Sequence, residues 1–289
     1  MKTLKRYWIL IKDTFLHFFE SNAMHQGASI AFYTIFSLPG ILIITINIGG
    51  YLYDEGTVET ELYDQFEYLI GAKSAENIEK ILSEAQASSA DMQWVGILTL
   101  IFSATTVFAA LQAALNNIWH VSSDNQRKGV VGFVLTRLLS FAMVVSLGFL
   151  LLVSLTLDTL LVFIHDLLAT LFSETAYYFL NGINLGISLL IISVVFTLIF
   201  MILPDRKLRW RQVWKGGLVT SFLFFVGKFL IGFYIGQSAV GDAYGAAGSL
   251  VIILVWIYYS TCIVLLGSCF TYIYSKSLEK EEEKRIYAS

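Results

Sequence analysis

The chain has 289 residues, 56% hydrophobic and only 14% charged, with a mean hydropathy of +0.69. A soluble domain carries about 25% charged residues, so a wholly water-facing globular protein is excluded. The formal net charge of −3 argues against nucleic acid as the main partner.

The first predicted element is an amphipathic helix over 4–19. Leu4, Trp8, Ile11, Phe15 and Phe18 repeat at three- and four-residue spacing, and Lys2, Lys5, Arg6 and Lys12 supply the polar side. That pattern suits a helix lying in the membrane interface. Six long apolar runs follow: Gly27–Gly50, Gln93–Ile118, Val134–Asp158, Ala176–Leu203, Val213–Gln237 and Ala243–Tyr274. Each reaches the ~20 residues that a bilayer requires. Unpaired backbone costs several kcal/mol per group in lipid, so helices are expected throughout. Between the first two runs, 51–92 is acidic, with Lys73 and Lys80 as its only cations. Val58, Leu62, Phe66 and Leu69, then Ile78, Ile81, Leu82 and Ala85, have helical spacing. Two short amphipathic helices over one mouth of the bundle are one expectation; a solvated acidic loop that only connects the spans is the other. Cys262 and Cys269 are two turns apart on one run, too far to bridge, and read as buried small apolar residues.

Positive charge orients the chain. Arg206, Lys207, Arg209, Arg211 and Lys215 crowd the junction of the fourth and fifth runs. Other basic residues precede the first run, separate the second from the third and follow the sixth. With alternating spans all of these fall on one side, which places both termini in the cytoplasm. The expected fold is therefore an all-α polytopic membrane bundle of six transmembrane helices. Its parts are an interfacial helix over 1–20, a transmembrane domain over 21–275 with the external insert 51–92, and a cytoplasmic tail over 276–289.

Lys228 is a charge inside an apolar segment, which costs about 2.5–3.5 kcal/mol at a helix centre and so should face the bundle interior. Counting depth along each helix groups it with Asn184, Ser103, Thr106 and Asp158 in an external-half vestibule. The alternative is ordinary interhelical hydrogen bonding, and for Lys228 outward snorkelling or a structural pairing. A second polar stripe, Gln26, Ser29, Tyr33 and Ser37, falls in the cytoplasmic half with Gln112 and Asn116. Two half-cavities would suit alternating access. Gly232 and Gly236 have the spacing of a close helix contact. The four histidines are scattered without metal-ligand spacing, and no phosphate-binding or nucleophile motif is present. No metal and no cofactor are expected.

The segments GASIAFYTIFSLPG, FSATTVFAALQAALNNIWH, LPDRKLRWRQVWKGG and YGAAGSLVIILVWIYYSTCIVLLGS resemble, in that order, the YihY/BrkB family of bacterial inner-membrane proteins. The similarity runs from Ser21 to Tyr274. It implies six spanning helices and a bacterial cytoplasmic (inner) membrane location. It also carries a former ribonuclease BN label, regarded as a misassignment, while proposals for the family include lipid export. The leading expectation is a transporter or flippase-like exporter with membrane lipids as partners and a lipid or anionic solute as substrate. A non-catalytic envelope scaffold is the alternative and a membrane nuclease the remote one. Nucleic acid is not an expected partner, and oligomeric state is not legible.

Overall fold

A computed structural model describes residues 2–50, 55–70, 75–76, 78–80, 83, 93–121, 132, 174–206, 208–237 and 248–286. The described residues form helices and the turns and bends beside them, with no strand among them. Seven long helices follow in order: α1 Lys2–Glu20, α2 Ala23–Gly50, α3 Glu55–Ile70, α4 Gln93–Ile118, α5 Glu174–Ile202, α6 Trp210–Gln237 and α7 Gly248–Ile286. The shortest of α2 and α4–α7 has 26 residues, about 39 Å at 1.5 Å per residue, more than the ~30 Å hydrocarbon core. By length and composition, Trp210–Ile231 and Leu250–Lys280 are apolar enough to cross a membrane. The expected run Val134–Asp158 lies outside the described residues.

α1 buries Leu10, Thr14, His17 and Phe18 and packs on α7. Its other side exposes Trp8, Phe15 and Phe19, with Trp8 70% accessible, beside exposed Lys12. Large aromatic surface next to a cation is what an interfacial helix presents to head groups. The chain then turns at Asn22, whose φ of 54° is a conformation asparagine tolerates. Ser21 N–H and Asn22 N–H close the end of α1 on His17 O and Phe19 O at 2.9 and 3.1 Å. Gln26 N–H then bonds Asn22 O at 3.1 Å to begin α2.

α7 is the hub of the bundle, touching α1, α2, α3, α4 and α6. It runs past Tyr274 into the charged tail as far as Ile286. Glu279 is held there by Arg206 at 3.7 Å and by Gln212 Nε2, which donates to it at 3.3 Å. Against α6 the fit is a pair of reciprocal notches. A Cβ on Gly216 would collide with the Thr271 side chain, and one on Gly267 with Thr220. Each threonine hydroxyl returns to its own helix: Thr220 Oγ1 donates to Gly216 O at 2.7 Å and Thr271 Oγ1 to Gly267 O at 2.6 Å. The glycines thus receive the partner's β-branched side chains at closest approach. On the next face of α6, Gly217 abuts Thr197 and Ser221 Oγ lies 2.6 Å from Ser193 Oγ, which seats α5. The outer face of α6 exposes Trp214, Leu218, Phe222 and Phe229, an apolar surface suited to lipid rather than water. Both cysteines are free, Cys269 buried and Cys262 partly so.

Two apolar cores occupy opposite ends. At one end, Phe18, Leu115, Trp119, Phe200 and Leu265 join α1, α4, α5 and α7. At the other, Leu42 and Ile46 of α2 meet Val58 of α3, Ile78, and Ile253 and Ile257 of α7. The acidic insert therefore caps the end opposite the basic junction.

His17 is the buried hinge pin of α1. Its ring stacks on Tyr272 at 4.6 Å, meets His120 edge-on at 5.3 Å and places Nε2 3.0 Å from Ile118 O. Burial holds its pKa below the usual 6.5; His120 and Lys276 push the same way, against the Ile118 hydrogen bond and Glu20. The neutral ring is thus the folded form. Its contribution is complete above pH 6.5 and is lost as pH falls below that value toward the lowered one, because the unfolded chain then binds more protons. Melting temperature measured from pH 7.5 to 5 should drop more steeply for the native chain than for His17→Gln. Parallel curves would refute the assignment.

Candidate functional site

The facing sides of α2 and α4 leave an open cavity of mixed polar and apolar lining. α2 turns Gln26, Ser29, Ile30 and Tyr33 to it, at the three- and four-residue spacing of one helix face, across from Thr106 on α4. The rest of the α4 wall is alanine: Ala109, Ala110, Ala113 and Ala114. A hollow of about 400 Å³ lies along this wall. That volume lies within the ~300–1,000 Å³ of small-molecule sites. The opposite face of α2 is packed, since a Cβ on Gly27 would lie 3.1 Å from Cys262 Sγ of α7. The cavity is therefore a property of one face of α2.

Its chemistry is hydrogen bonding without formal charge. Ser29 Oγ donates to His25 O at 3.1 Å. Tyr33 is 41% accessible. Gln26 Oε1 is buried and makes no hydrogen bond, so a buried acceptor faces an unmet desolvation cost of about 1–3 kcal/mol. Such a surface suits the neutral polar part of an amphiphile, and the alanine wall suits its apolar part.

The other residues of the cytoplasmic stripe do not join this cavity. Gln112 and Asn116 are buried in a knot around Asp205. Gln112 Nε2 donates to Oδ1 at 3.2 Å and Asn116 Nδ2 to Oδ2 at 2.9 Å, while Asp205 N–H donates to Asn116 Oδ1 at 2.8 Å. Both ends of the Asn116 amide and the Nε2 of Gln112 fasten the α5–α6 turn to α4, while Gln112 Oε1 is buried without a hydrogen bond. Sequence reasoning passed over Asp205 because it sits among cations; its helix-end position next to Pro204 was the available signal. Ser37 is buried further along α2, outside the lining. Of the topology residues, Arg206 packs its guanidinium 5.7 Å from the Trp119 ring and Lys215 its ammonium 5.0 Å from the Tyr274 ring. Arg209 and Arg211 are exposed. The side chain of Lys207 lies outside the described residues.

Of the group expected in the external half, Thr106 lines the α2–α4 cavity. Asp158 and the side chains of Ser103 and Asn184 lie outside the described residues. Lys228 is half-buried on α6, on the line of Gly217, Ser221 and Phe224 that packs against α5. Continuing the antiparallel register of Gly217 with Thr197 and Ser221 with Ser193 brings Lys228 level with Gly186. That is two residues, about 3 Å of rise, from Asn184. A Cβ on Gly186 would meet nothing within 4 Å, so space adjoins α5 at this height.

A family model described as virulence factor BrkB matches residues 14–288. A UPF0761 membrane protein of Alkalilimnicola ehrlichii is 29% identical, over 88% of this chain and 55% of its own length. A UPF0761 membrane protein of Chlorobium chlorochromatii is 27% identical, over 93% of this chain and 61% of its own. The Bacillus subtilis protein YfkH, named ribonuclease-like, is 24% identical over 89% of this chain and 92% of its own. The chain thus spans little more than half the length of the UPF0761 relatives. No solved structure matches.

Proposed function

The chain belongs to the BrkB family of membrane proteins, and on that premise we propose that it moves an amphiphilic or anionic solute, lipid included, across the bacterial cytoplasmic membrane. The single observation that carries the reading is the α2–α4 cavity, a hollow of lipid-head-group size walled by alanine on one side and by amide and hydroxyl groups on the other. In this reading six helices span the bilayer and both termini are cytoplasmic. The basic junction shares an end with α1 through the contacts of Arg206 with Trp119 and of His17 with Ile118 O, which supports that orientation.

The α2–α4 cavity serves the cytoplasmic half of the path. Lys228 serves the external half, where its ammonium meets the negative group of the solute; a charge at this depth is retained by default for such a role. The reading assigns the chain no hydrolytic step, so energy comes from an ion gradient or from the solute's own. Membrane lipids are its partners and nucleic acid is not.

In proteoliposomes, Lys228→Met should slow the movement of a fluorescent phosphatidylglycerol by roughly tenfold or more, the effect of about 1.4 kcal/mol, with membrane insertion unchanged. Equal rates for the variant and the native chain would remove Lys228 from the path. No movement by the native chain above empty liposomes would remove the function itself.

A further inference from the structure

A hollow toward the other end of α2 has different chemistry. It opens between α2, α3 and the following helical residues of the insert, with a volume of about 460 Å³. Its inner wall is apolar, built from Leu42, Leu62, Phe66, Ala75 and Ile78. Glu59, Glu79, Thr60 and Tyr63 form its rim. The wall is the insert's own seat on the bundle, since Val58, Leu62, Phe66 and Ile78 pack with Leu42 and Ile46. The described walls of the hollow thus rest on a packed core.

Charge around it is one-sided. Residues 51–92 carry ten acidic residues and two basic ones. Burial raises the Tyr63 phenol above the usual 10.0, and four carboxylates, Glu67, Glu79, Glu76 and Asp64, push it the same way. Tyr63 thus stays neutral and presents an aromatic face at a negative rim. An aromatic face beside carboxylates attracts organic cations, and an apolar pocket of this size takes up a body of a few carbons to drug size.

We propose that this hollow is a binding site for small amphiphilic cations: an ammonium or guanidinium group held at the rim by Glu59, Glu79 and Tyr63, with an apolar body against Phe66 and Ile78. Charge complementarity selects the cation, and the limited volume of about 460 Å³ selects a small molecule over a protein segment. The inference stands independently of solute movement through the α2–α4 cavity, because it needs only the insert and one end of α2.

The test is calorimetric titration of the full chain in nanodiscs of neutral lipid, with empty discs subtracted. Octyltrimethylammonium should bind saturably at one site. Octanesulfonate, with the same chain and the opposite charge, should not bind, and tetramethylammonium, lacking a body, should bind at least about tenfold more weakly. Glu59→Gln with Glu79→Gln should weaken octyltrimethylammonium about tenfold, two rim charges at surface strength, and Glu79→Asp should retain most of the affinity. These near-isosteric changes at exposed positions leave the core packing intact. Equal binding of the sulfonate, or equal binding of octyltrimethylammonium to the double glutamine variant, would overturn the proposal.

Discussion

Replacing Gly216 with leucine should leave little folded protein in the membrane. The first added carbon would already lie inside the Thr271 side chain, 2.7 Å from its Cβ. Thr271 has no room to yield. It is fully buried and β-branched, and its hydroxyl is tied to Gly267 O, so relief requires α6 and α7 to separate. Overpacking of this kind costs about 1–3 kcal/mol where side chains can shift, and more where helix axes must move. The expected result is a loss of monodisperse protein on fluorescence-detected size exclusion and a lower melting temperature for the fraction that survives. Gly186→Ala is the control, since nothing lies within 4 Å of the added methyl. Thr271→Ala should restore part of the stability lost in the milder Gly216→Ala. A double-mutant cycle without coupling would show that the notch is not what holds the two helices.

Ala113→Trp should block the α2–α4 cavity without unfolding the bundle. Ala113 lines the hollow and is exposed, so an indole there grows into space and not into the core. If solute passes this face, the bulk competes directly with it. Overpacking of about 1–3 kcal/mol against the solute corresponds to roughly a tenfold or greater fall in transport rate, with the melting temperature preserved. Ala113→Ser should stay near the native rate. Native transport by the tryptophan variant would show that the cavity is not on the path and would leave Lys228 to be judged separately.

Much of the fold was legible because it is local. Length and hydropathy located α2 and α4–α7 to within a few residues at most ends, and a three-four apolar spacing was enough for α1 and α3. What escaped is relational. The Gly216–Thr220 and Gly267–Thr271 spacings are unremarkable until one helix faces the other, and Gly232 and Gly236 drew attention instead. Thr106 was set with Lys228 because both lie well inside their helices; the rotation of α4 turns it toward Gln26. Gln112 and Asn116 looked like cavity lining. Their partner, Asp205, is 93 and 89 residues away in sequence, and no spacing rule joins residues so distant. The extension of α7 to Ile286 depends in the same way on Arg206 and Gln212 reaching Glu279.

The reciprocal fit of Thr220 on Gly267 and Thr271 on Gly216 has a mechanical result. A one-residue slip would set each branched side chain against a neighbour with no vacancy to receive it, so the two helices have a single permitted alignment. In a bilayer thicker or thinner than its preference, the pair cannot adjust its hydrophobic length by shearing. It must lean as one plank, carrying the α5–α6 turn up or down with it.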